Sequence, residues 1–303
     1  MYIEQGRKGK IGLWKYLPVP IGFLGLIAFN MAFSEGMDIE AMMQQQIETL
    51  GKPLFFLISV GPFAIFLAGL FFWVKVVHQQ SIRSLTTSRV KIDWKRVLFM
   101  FGLVALYILI TTGILYYFYP EDFQMNFEMK PFITLAIMAI LIVPLQTSFE
   151  EYLFRGHMMQ GLGLATKTRW VPLIVTSVLF GIMHFGNPEV AKIGPHIMVY
   201  YIGTGFFLAI ITLMDEGLEL ALGFHAANNL VTALLVTSSW TAFQTDSILL
   251  YTGEPETGIE ILIPVFVVFP IYILILSKKY KWSGWKNKLF GKVAPEPQIE
   301  EYN

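Results

Sequence analysis

Eight apolar stretches alternate with short polar segments along the 303 residues of the chain. A helix needs about 20 mainly apolar residues to cross the hydrocarbon layer of a membrane, and each stretch approaches that length. We therefore predict an all-α fold, a polytopic membrane bundle of about eight transmembrane helices. The predicted spans cover residues 17–34, 54–77, 97–118, 131–149, 170–185, 196–214, 218–237 and 259–277.

The charges between these spans alternate in sign. Basic residues are concentrated before the first span, between the second and third, between the fourth and fifth, and after the last. Acidic residues dominate three of the intervening segments. Because segments rich in Lys and Arg stay in the cytoplasm, both termini are predicted to be cytoplasmic. We divide the chain into an N-terminal three-span region (1–130), a central core (131–237), and the last span with a basic cytoplasmic tail (238–303).

The composition agrees with a membrane protein and narrows the available chemistry. The chain is 55% hydrophobic and only 15% charged, whereas soluble domains carry about 25% charged residues. Its formal net charge is zero, so no overall positive field favours nucleic acid. There is no cysteine, which excludes disulfides, thiol catalysis and metal sites built on thiolates.

A charged cluster follows the apolar run from Pro131 to Leu145 at the end of the fourth span. Each charge costs about 2.5–3.5 kcal/mol at the centre of a bilayer, so such residues favour a functional interpretation. On a helix, Glu151 and Arg155 lie four positions apart and can form an ion pair. Glu150 points about 100° away and is free for another partner. Two interpretations remain open: Glu150 is a catalytic carboxylate supported by that pair, or all three form a solvated helix end among lipid headgroups.

Three more polar residues lie within apolar segments, namely His184 in the fifth span and His225 and Asn229 in the seventh. His225 and Asn229 are four positions apart and share a helix face. A Glu can take a proton from water, and a His can bind that water or pass a proton to a leaving amine. A second His and an amide can donate hydrogen bonds to an oxyanion. Together these residues favour hydrolysis of an amide by activated water, although each alone is typical of hydrogen bonding between helices.

The same residues leave a metal-assisted mechanism open. Glu150, His184 and His225 form a ligand set of the kind that binds Zn, although the His-Glu-x-x-His signature of zinc peptidases is absent from the sequence. The other histidines are interpreted as non-catalytic: His78, His157 and His196. We place His78 at the membrane interface and His157 on a polar helix face.

Three motifs follow one another on successive parts of the central core: Glu150-Glu151-x-x-x-Arg155, Phe180-x-x-x-His184 and His225-x-x-x-Asn229. In this order they resemble the CPBP family, which includes type II CAAX prenyl endopeptidases and bacterial Abi, or bacteriocin-immunity, proteins. The resemblance covers residues 131–237, which we interpret as a CPBP/Abi-like catalytic core. It implies that Glu150 and His184 activate a water molecule. His225 and Asn229 would then stabilise the tetrahedral oxyanion. The implied supporting residues are Glu151, Arg155 and Phe180.

The resemblance implies an intramembrane endopeptidase that hydrolyses a peptide bond with water activated by Glu and His, with or without Zn. We expect a multi-pass integral protein of a bacterial plasma membrane. Its expected partners are a peptide or protein substrate and the lipid bilayer, and no nucleic acid. A non-catalytic bacteriocin-immunity or scaffold protein with the same fold remains the alternative. A transporter is less favoured, because transporters often contain internal repeats and the sequence shows none.

Overall fold

The computed structural model describes residues 1–255 and 258–295 and is mainly helical. Within these residues, five helices are long and apolar enough to cross a membrane: Lys52–Val76, Trp94–Phe118, Met129–Thr166, Pro195–Asp215 and Glu260–Tyr280. Shorter apolar helices cover Pro18–Phe33 and Trp170–Ile182, and Glu219–Leu235 forms a helix of 17 residues. These helices make the chain an integral membrane protein. All eight predicted spans are mainly helical, while the number of crossings and their orientation stay predictions. Residues 296–303 of the predicted tail lie outside the described residues.

The α-helices are numbered in chain order. They are α1 (Leu13–Tyr16), α2 (Pro18–Phe33), α3 (Ile39–Leu50), α4 (Lys52–Val60), α5 (Pro62–Val76), α6 (Ile82–Thr86), α7 (Trp94–Phe118), α8 (Met129–Glu151), α9 (Met159–Thr166), α10 (Trp170–Ile182), α11 (Pro188–Ile193), α12 (Met198–Asp215), α13 (Glu219–Leu235), α14 (Phe269–Tyr280) and α15 (Trp285–Phe290). Short 3₁₀ segments cover Ile3–Lys8, Pro120–Asp122, Pro195–Ile197 and Ile259–Leu262, and π-helical segments cover Tyr152–Met158 and Pro264–Val268.

Local sequence signals set several helix ends. The side chain of Asp38 accepts a hydrogen bond from the Ala41 amide and caps α3, and Asp93 accepts one from the Lys95 amide and caps α7. Such caps satisfy amides that have no partner within the helix. Lys167, with φ 58°, adopts the left-handed conformation that ends α9 and turns the chain into α10.

The fourth predicted span is longer than expected. α8, the π-helical segment Tyr152–Met158 and α9 form one continuous helix of 38 residues. Two features depart from regular α-helix: Pro144 inside α8, which offers no amide hydrogen to the preceding turn, and the π-helical segment itself. π-helical turns are rare and occur often at functional sites. This one begins directly after the carboxylates of the charged cluster.

Glycines allow the helices around this long helix to approach closely. A side chain at Gly205 of α12 would clash with the main chain of Ser177 in α10. A side chain at Gly223 of α13 would clash with the main chain of Val97 in α7. Within lipid the hydrophobic effect does not drive helices together. Close van der Waals packing at small residues stabilises such contacts instead. The two contacts help to hold α10, which ends two residues before His184, and α13, which carries His225, against the bundle.

A small sheet departs from the all-α prediction. It contains β1 (Phe123–Met125), β2 (Val236–Thr237) and β3 (Leu249–Tyr251) in the order β1-β3-β2. β3 pairs antiparallel with β1, with Phe123 opposite Tyr251, and parallel with β2, with Val236 opposite Leu249. β1 is far in sequence from β2 and β3. Each strand is too short to show a clear alternation of apolar and polar residues. The sheet joins the end of α13 to the connection between α7 and α8.

The described ends of the chain lie on the face opposite the sheet, beside the turn at Lys167. The amide of Val293 donates to the carbonyl of Lys167 over 3.0 Å, and Glu4 accepts a hydrogen bond from Arg169 at 2.5 Å. Tyr2 is buried, and its hydroxyl donates to the carbonyl of Leu85 at 2.6 Å. The two described ends therefore lie close together, while their cytoplasmic location stays a prediction.

The predicted positions of two histidines were wrong. His78 and His157 are each 0% exposed, and their ring centroids are 5.1 Å apart. Both rings also contact Tyr16, with centroid distances of 4.2 and 4.9 Å. The segment before α2 folds over this part of the long helix and covers it. A local pattern of polar residues gives no sign of such long-range burial.

Candidate active site

The charged cluster at the end of α8 is enclosed by protein. Glu150 is 3% exposed, and Glu151 and Arg155 are 0% exposed. These values overturn the interpretation of a solvated helix end among lipid headgroups. Buried charges persist in proteins when they are paired or hydrogen bonded, so the partners of each group define what the cluster can do.

Glu151 is the centre of the cluster. Its Oε1 atom accepts a hydrogen bond from Nη1 of Arg155 at 2.9 Å, the ion pair that the spacing predicted. The same oxygen lies 2.8 Å from Nδ1 of His225 in α13. Because an ionised carboxylate only accepts hydrogen bonds, Nδ1 of His225 carries the hydrogen in this contact. Glu151 therefore orients the imidazole in the way that a buried carboxylate orients the histidine of a catalytic triad.

Arg155 is held on three sides. Its Nη2 atom donates to the carbonyl of Gly205 at 3.2 Å, in addition to the ion pair with Glu151. The guanidinium carbon also lies 4.1 Å from the centroid of the Phe180 ring. A cation over an aromatic face away from water contributes about 2 kcal/mol. Phe180 thus has a physical role of its own in the Phe180-x-x-x-His184 motif. Its ring packs against the Arg155 guanidinium, which balances the charge of Glu151.

Glu150 has one occupied and one free oxygen. Its Oε1 accepts a hydrogen bond from Nε2 of Gln146 at 2.5 Å. Its Oε2 is buried and has no hydrogen-bond partner among the described residues. That oxygen lies 3.8 Å from Nε2 of His225, a separation that a single bridging water can span at normal hydrogen-bond lengths. The free carboxylate oxygen and the imidazole therefore face a common point.

Gln146 is a site residue that the sequence analysis missed. Its Oε1 accepts a hydrogen bond from Nδ2 of Asn229 at 3.2 Å, while its own amide donates to Glu150. The directions of these two bonds set the orientation of both amide groups. A signal was present, because Gln146 is polar within an apolar span and lies four positions before Glu150 on the same helix face.

His184 lies beside this network rather than within it. Its Nδ1 is 2.7 Å from the carbonyl of Phe180, so Nδ1 carries the hydrogen and Nε2 is left as an acceptor. Its ring stacks on Tyr201 with centroids 4.5 Å apart and an interplanar angle of 16°. Phe180 neighbours the rings of both His184 and His225, with centroid distances of 4.9 and 5.8 Å. Within the described part of the chain, no hydrogen bond joins His184 to Glu150.

The geometry does not fit a zinc site. A catalytic zinc ion needs three protein ligands arranged around one point. Among residues 1–255 and 258–295, no group of three or more His, Asp or Glu side chains is placed to hold a metal ion. Glu150 and His225 converge on a common point, but His184 is turned toward Phe180 and Tyr201. The reaction proposed below therefore uses the side chains alone.

The motifs on α8 and α13 thus meet at the contact between Glu151 and His225, and Phe180 of α10 neighbours the rings of both histidines. A buried carboxylate, an imidazole fixed by a second carboxylate, and a side-chain amide are together able to activate water and to stabilise an oxyanion. The described set contains no cysteine or activated serine next to a base. The arrangement therefore favours direct attack by water over a covalent intermediate.

Comparison with known proteins finds a family match over the part of the chain that contains this site. Residues 130–231 match the family model of Type II CAAX prenyl endopeptidase Rce1-like proteins. This segment contains every residue of the network, from Gln146 to Asn229. The chain is also 29% identical over 241 residues to the uncharacterized protein YyaK of Bacillus subtilis (strain 168), an alignment that covers 76% of this chain and 80% of the relative. No solved structure matches the chain.

The predicted resemblance to the CPBP family is therefore confirmed for residues 130–231. The family match points in general terms to a membrane protease of the CAAX type. It falls on the helices that carry the site, while the first three predicted spans lie outside it.

Proposed function

We propose that this protein is an intramembrane endopeptidase in which Glu150 activates the water that hydrolyses a peptide bond. The observation that carries this proposal is the free Oε2 of Glu150, buried and 3.8 Å from Nε2 of His225. Leaving a buried acceptor without a partner costs about 1–3 kcal/mol. Such a cost is expected where the group must bind water or substrate during a reaction.

In the proposed reaction, Glu150 accepts a proton from the water while the water oxygen attacks the carbonyl carbon of the scissile bond. The resulting oxyanion accepts hydrogen bonds from the Asn229 amide and from His225 in its protonated form. The proton then passes to the amide nitrogen, the carbon–nitrogen bond breaks, and an acid and an amine are released. Glu151 stabilises the charge on His225, and Arg155 balances the charge of Glu151.

His184 and Gln146 are the remaining residues of the proposed active site. From the family resemblance, we assign His184 to the activation of the water, through the Nε2 atom that its bond to Phe180 leaves as an acceptor. Gln146 holds the carboxylate of Glu150 through its amide group. It also links that carboxylate to Asn229, so that the base and the oxyanion donor keep a constant separation. A peptide or protein at the membrane is the proposed substrate.

The proposal is tested with purified protein in lipid nanodiscs and a library of membrane-associated peptides. Glu150→Gln keeps the shape of the side chain but removes the base, and we expect at least about a hundredfold loss of cleavage, since general bases contribute about 10²–10⁴-fold. The matched control is Glu35→Gln at an exposed carboxylate, which should cleave like the wild type. Cleavage that survives Glu150→Gln would favour the alternative, a non-catalytic immunity or scaffold protein, with the cleavage due to a contaminant.

A further inference from the structure

A cavity of about 820 Å³ opens at the end of the bundle where the small sheet lies. Its walls come from the last turns of α7 and α13, from the sheet, from α11 and from residues 238–243. A volume of this size matches the pockets in which proteins bind small ligands or peptide side chains. The cavity lies outside the hydrogen-bonded network of Glu150, and nothing described so far assigns it an occupant.

The walls of the cavity combine acidic and aromatic side chains. Asp122, Glu189 and Glu254 line it, and none of its lining residues is Lys, Arg or His. Its aromatic lining residues are Tyr119, Phe123, Trp240, Phe243 and Tyr251. A concave surface that carries charge of one sign concentrates the electric field and attracts ligands of the opposite charge. Aromatic faces also attract cations, so the chemistry of the walls fits a cationic ligand with apolar parts.

Glu189 gives this cavity a specific polar anchor. Its Oε1 accepts a hydrogen bond from the Ala242 amide at 2.8 Å. Its Oε2 is buried and has no hydrogen-bond partner within the described part of the chain, and no ion pair includes Glu189 there. Burial raises the pKa of the Glu189 carboxyl above its ordinary value. A buried carboxylate without a cation is unfavourable, and a bound ammonium or guanidinium group would satisfy it.

The cavity adjoins the candidate active site along two elements. Thr232 lines the cavity and follows Asn229 by three residues of α13, about 4.5 Å along the helix axis. Glu189 lies in the first turn of α11, which a short segment that begins beside His184 joins to α10. In that segment the Asn187 amide lies 3.4 Å from the hydroxyl of Tyr201, the residue on which His184 stacks. A peptide in the cavity would therefore reach the site from the side of His184 and Asn229.

We propose that this cavity binds a lysine or arginine side chain of the substrate peptide, with Glu189 as the anchoring carboxylate, and that the protein therefore selects cationic, apolar peptides. This inference rests on the proposed endopeptidase function and adds a substrate class to it. The aromatic walls hold the apolar part of the peptide, and the carboxylates at Asp122 and Glu254 attract the basic group to the opening.

The test measures binding without cleavage. The Glu150→Gln protein is placed in nanodiscs of phosphatidylcholine, a lipid that has no primary amine. The probes are two fluorescein-labelled synthetic peptides, one of alternating Leu and Lys and one with Gln in place of each Lys. Fluorescence anisotropy should show at least about tenfold tighter binding of the Lys peptide, as expected for a desolvated charge pair. Equal affinities for the two peptides would overturn the inference.

Substitutions in the same background locate the binding. Glu189→Gln keeps the acceptor for the Ala242 amide and should weaken binding of the Lys peptide about tenfold, with no change for the Gln peptide. The control is Glu121→Gln, an exposed carboxylate at the same end of the bundle that does not line the cavity; it should change the affinity less than about twofold. An equal loss in both variants would show that surface charge alone attracts the peptide, and would overturn the assignment to the cavity.

Two further measurements cover a Glu189 variant that does not fold and a lipid that competes for the cavity. If Glu189→Gln does not fold, Glu254→Gln at the exposed part of the cavity wall should weaken binding of the Lys peptide about threefold, and no loss would contradict the inference. Adding phosphatidylethanolamine to the nanodiscs should leave peptide binding unchanged. Displacement of the peptide would show that a lipid amine takes the cavity, and would overturn the peptide assignment. Because binding is measured without turnover, a wild type that binds the Lys peptide but cleaves nothing would refute only the endopeptidase function.

Discussion

Removing Arg155 alone should destabilise the protein more than removing Arg155 together with the charge of Glu151. Both side chains are 0% exposed and paired at 2.9 Å. In Arg155→Met, the carboxylate of Glu151 stays buried without its cation, which costs about 3–5 kcal/mol in known cases. The variant also loses the contact of the guanidinium with Phe180 and its hydrogen bond to Gly205.

The double variant Glu151→Gln/Arg155→Met removes both charges. Its Gln side chain can still accept the hydrogen of Nδ1 from His225, the contact that spans 2.8 Å in the native protein. We therefore expect the double variant to lose about 1–3 kcal/mol, roughly 2 kcal/mol less than the single variant. A difference of that size changes the unfolding equilibrium constant about 30-fold, at about 1.4 kcal/mol for each factor of ten.

The assay is reversible unfolding in mixed micelles titrated with sodium dodecyl sulfate, followed by tryptophan fluorescence. Arg7→Met, at a partly exposed position, is the control and should change the free energy of unfolding by less than about 0.5 kcal/mol. A double variant as unstable as Arg155→Met, or less stable, would refute the reasoning. It would mean that the Glu151 charge is compensated mainly by some other group than the guanidinium.

Three other predictions test separate parts of the structure. Gln146→Leu should lower cleavage at least about tenfold, because it removes the amide that holds Glu150, the proposed catalytic carboxylate; an unchanged rate in the nanodisc assay would exclude this role. Gly205→Val should destabilise the protein by about 1–3 kcal/mol through overpacking between α10 and α12, seen as a lower melting temperature, and an unchanged melting temperature would contradict the close contact. Affinity for the Lys peptide should fall as the pH is lowered through the raised pKa of Glu189, since protonation removes the negative charge while the peptide amines, with pKa about 10.4, stay charged. The loss should be much smaller in Glu189→Gln, which lacks that carboxyl group.

Helix periodicity and residue spacing were sufficient to predict the local features of this protein from its sequence. The Glu151–Arg155 ion pair follows from two opposite charges four positions apart on one helix, and the structure contains it. The apolar runs likewise predicted where the long helices lie, because hydrophobic length is a property of a continuous segment. Gln146 could also have been found from the sequence, since it is a polar residue inside an apolar span, as His184, His225 and Asn229 are.

The remaining features depend on contacts between distant segments. His225 meets Glu151 across 74 positions of sequence, and only the docking of α13 on α8 brings them together. The burial of His78 and His157 depends on the segment around Tyr16, whose folded position no helical pattern shows. The cavity beside Glu189 is built from parts of the chain between α7 and Pro255, so its acidic walls could not be assembled from any single motif.

The central claim is that Glu150 activates the water that cleaves a peptide bond within the membrane. The most direct measurement incubates the purified wild type and Glu150→Gln, at equal amounts in nanodiscs, with the Lys peptide in oxygen-labelled water, and analyses the products by mass spectrometry. The wild type should yield new carboxyl termini carrying one labelled oxygen, and Glu150→Gln should yield none above background. Equal yields of labelled product from the two proteins would show that Glu150 does not activate the water.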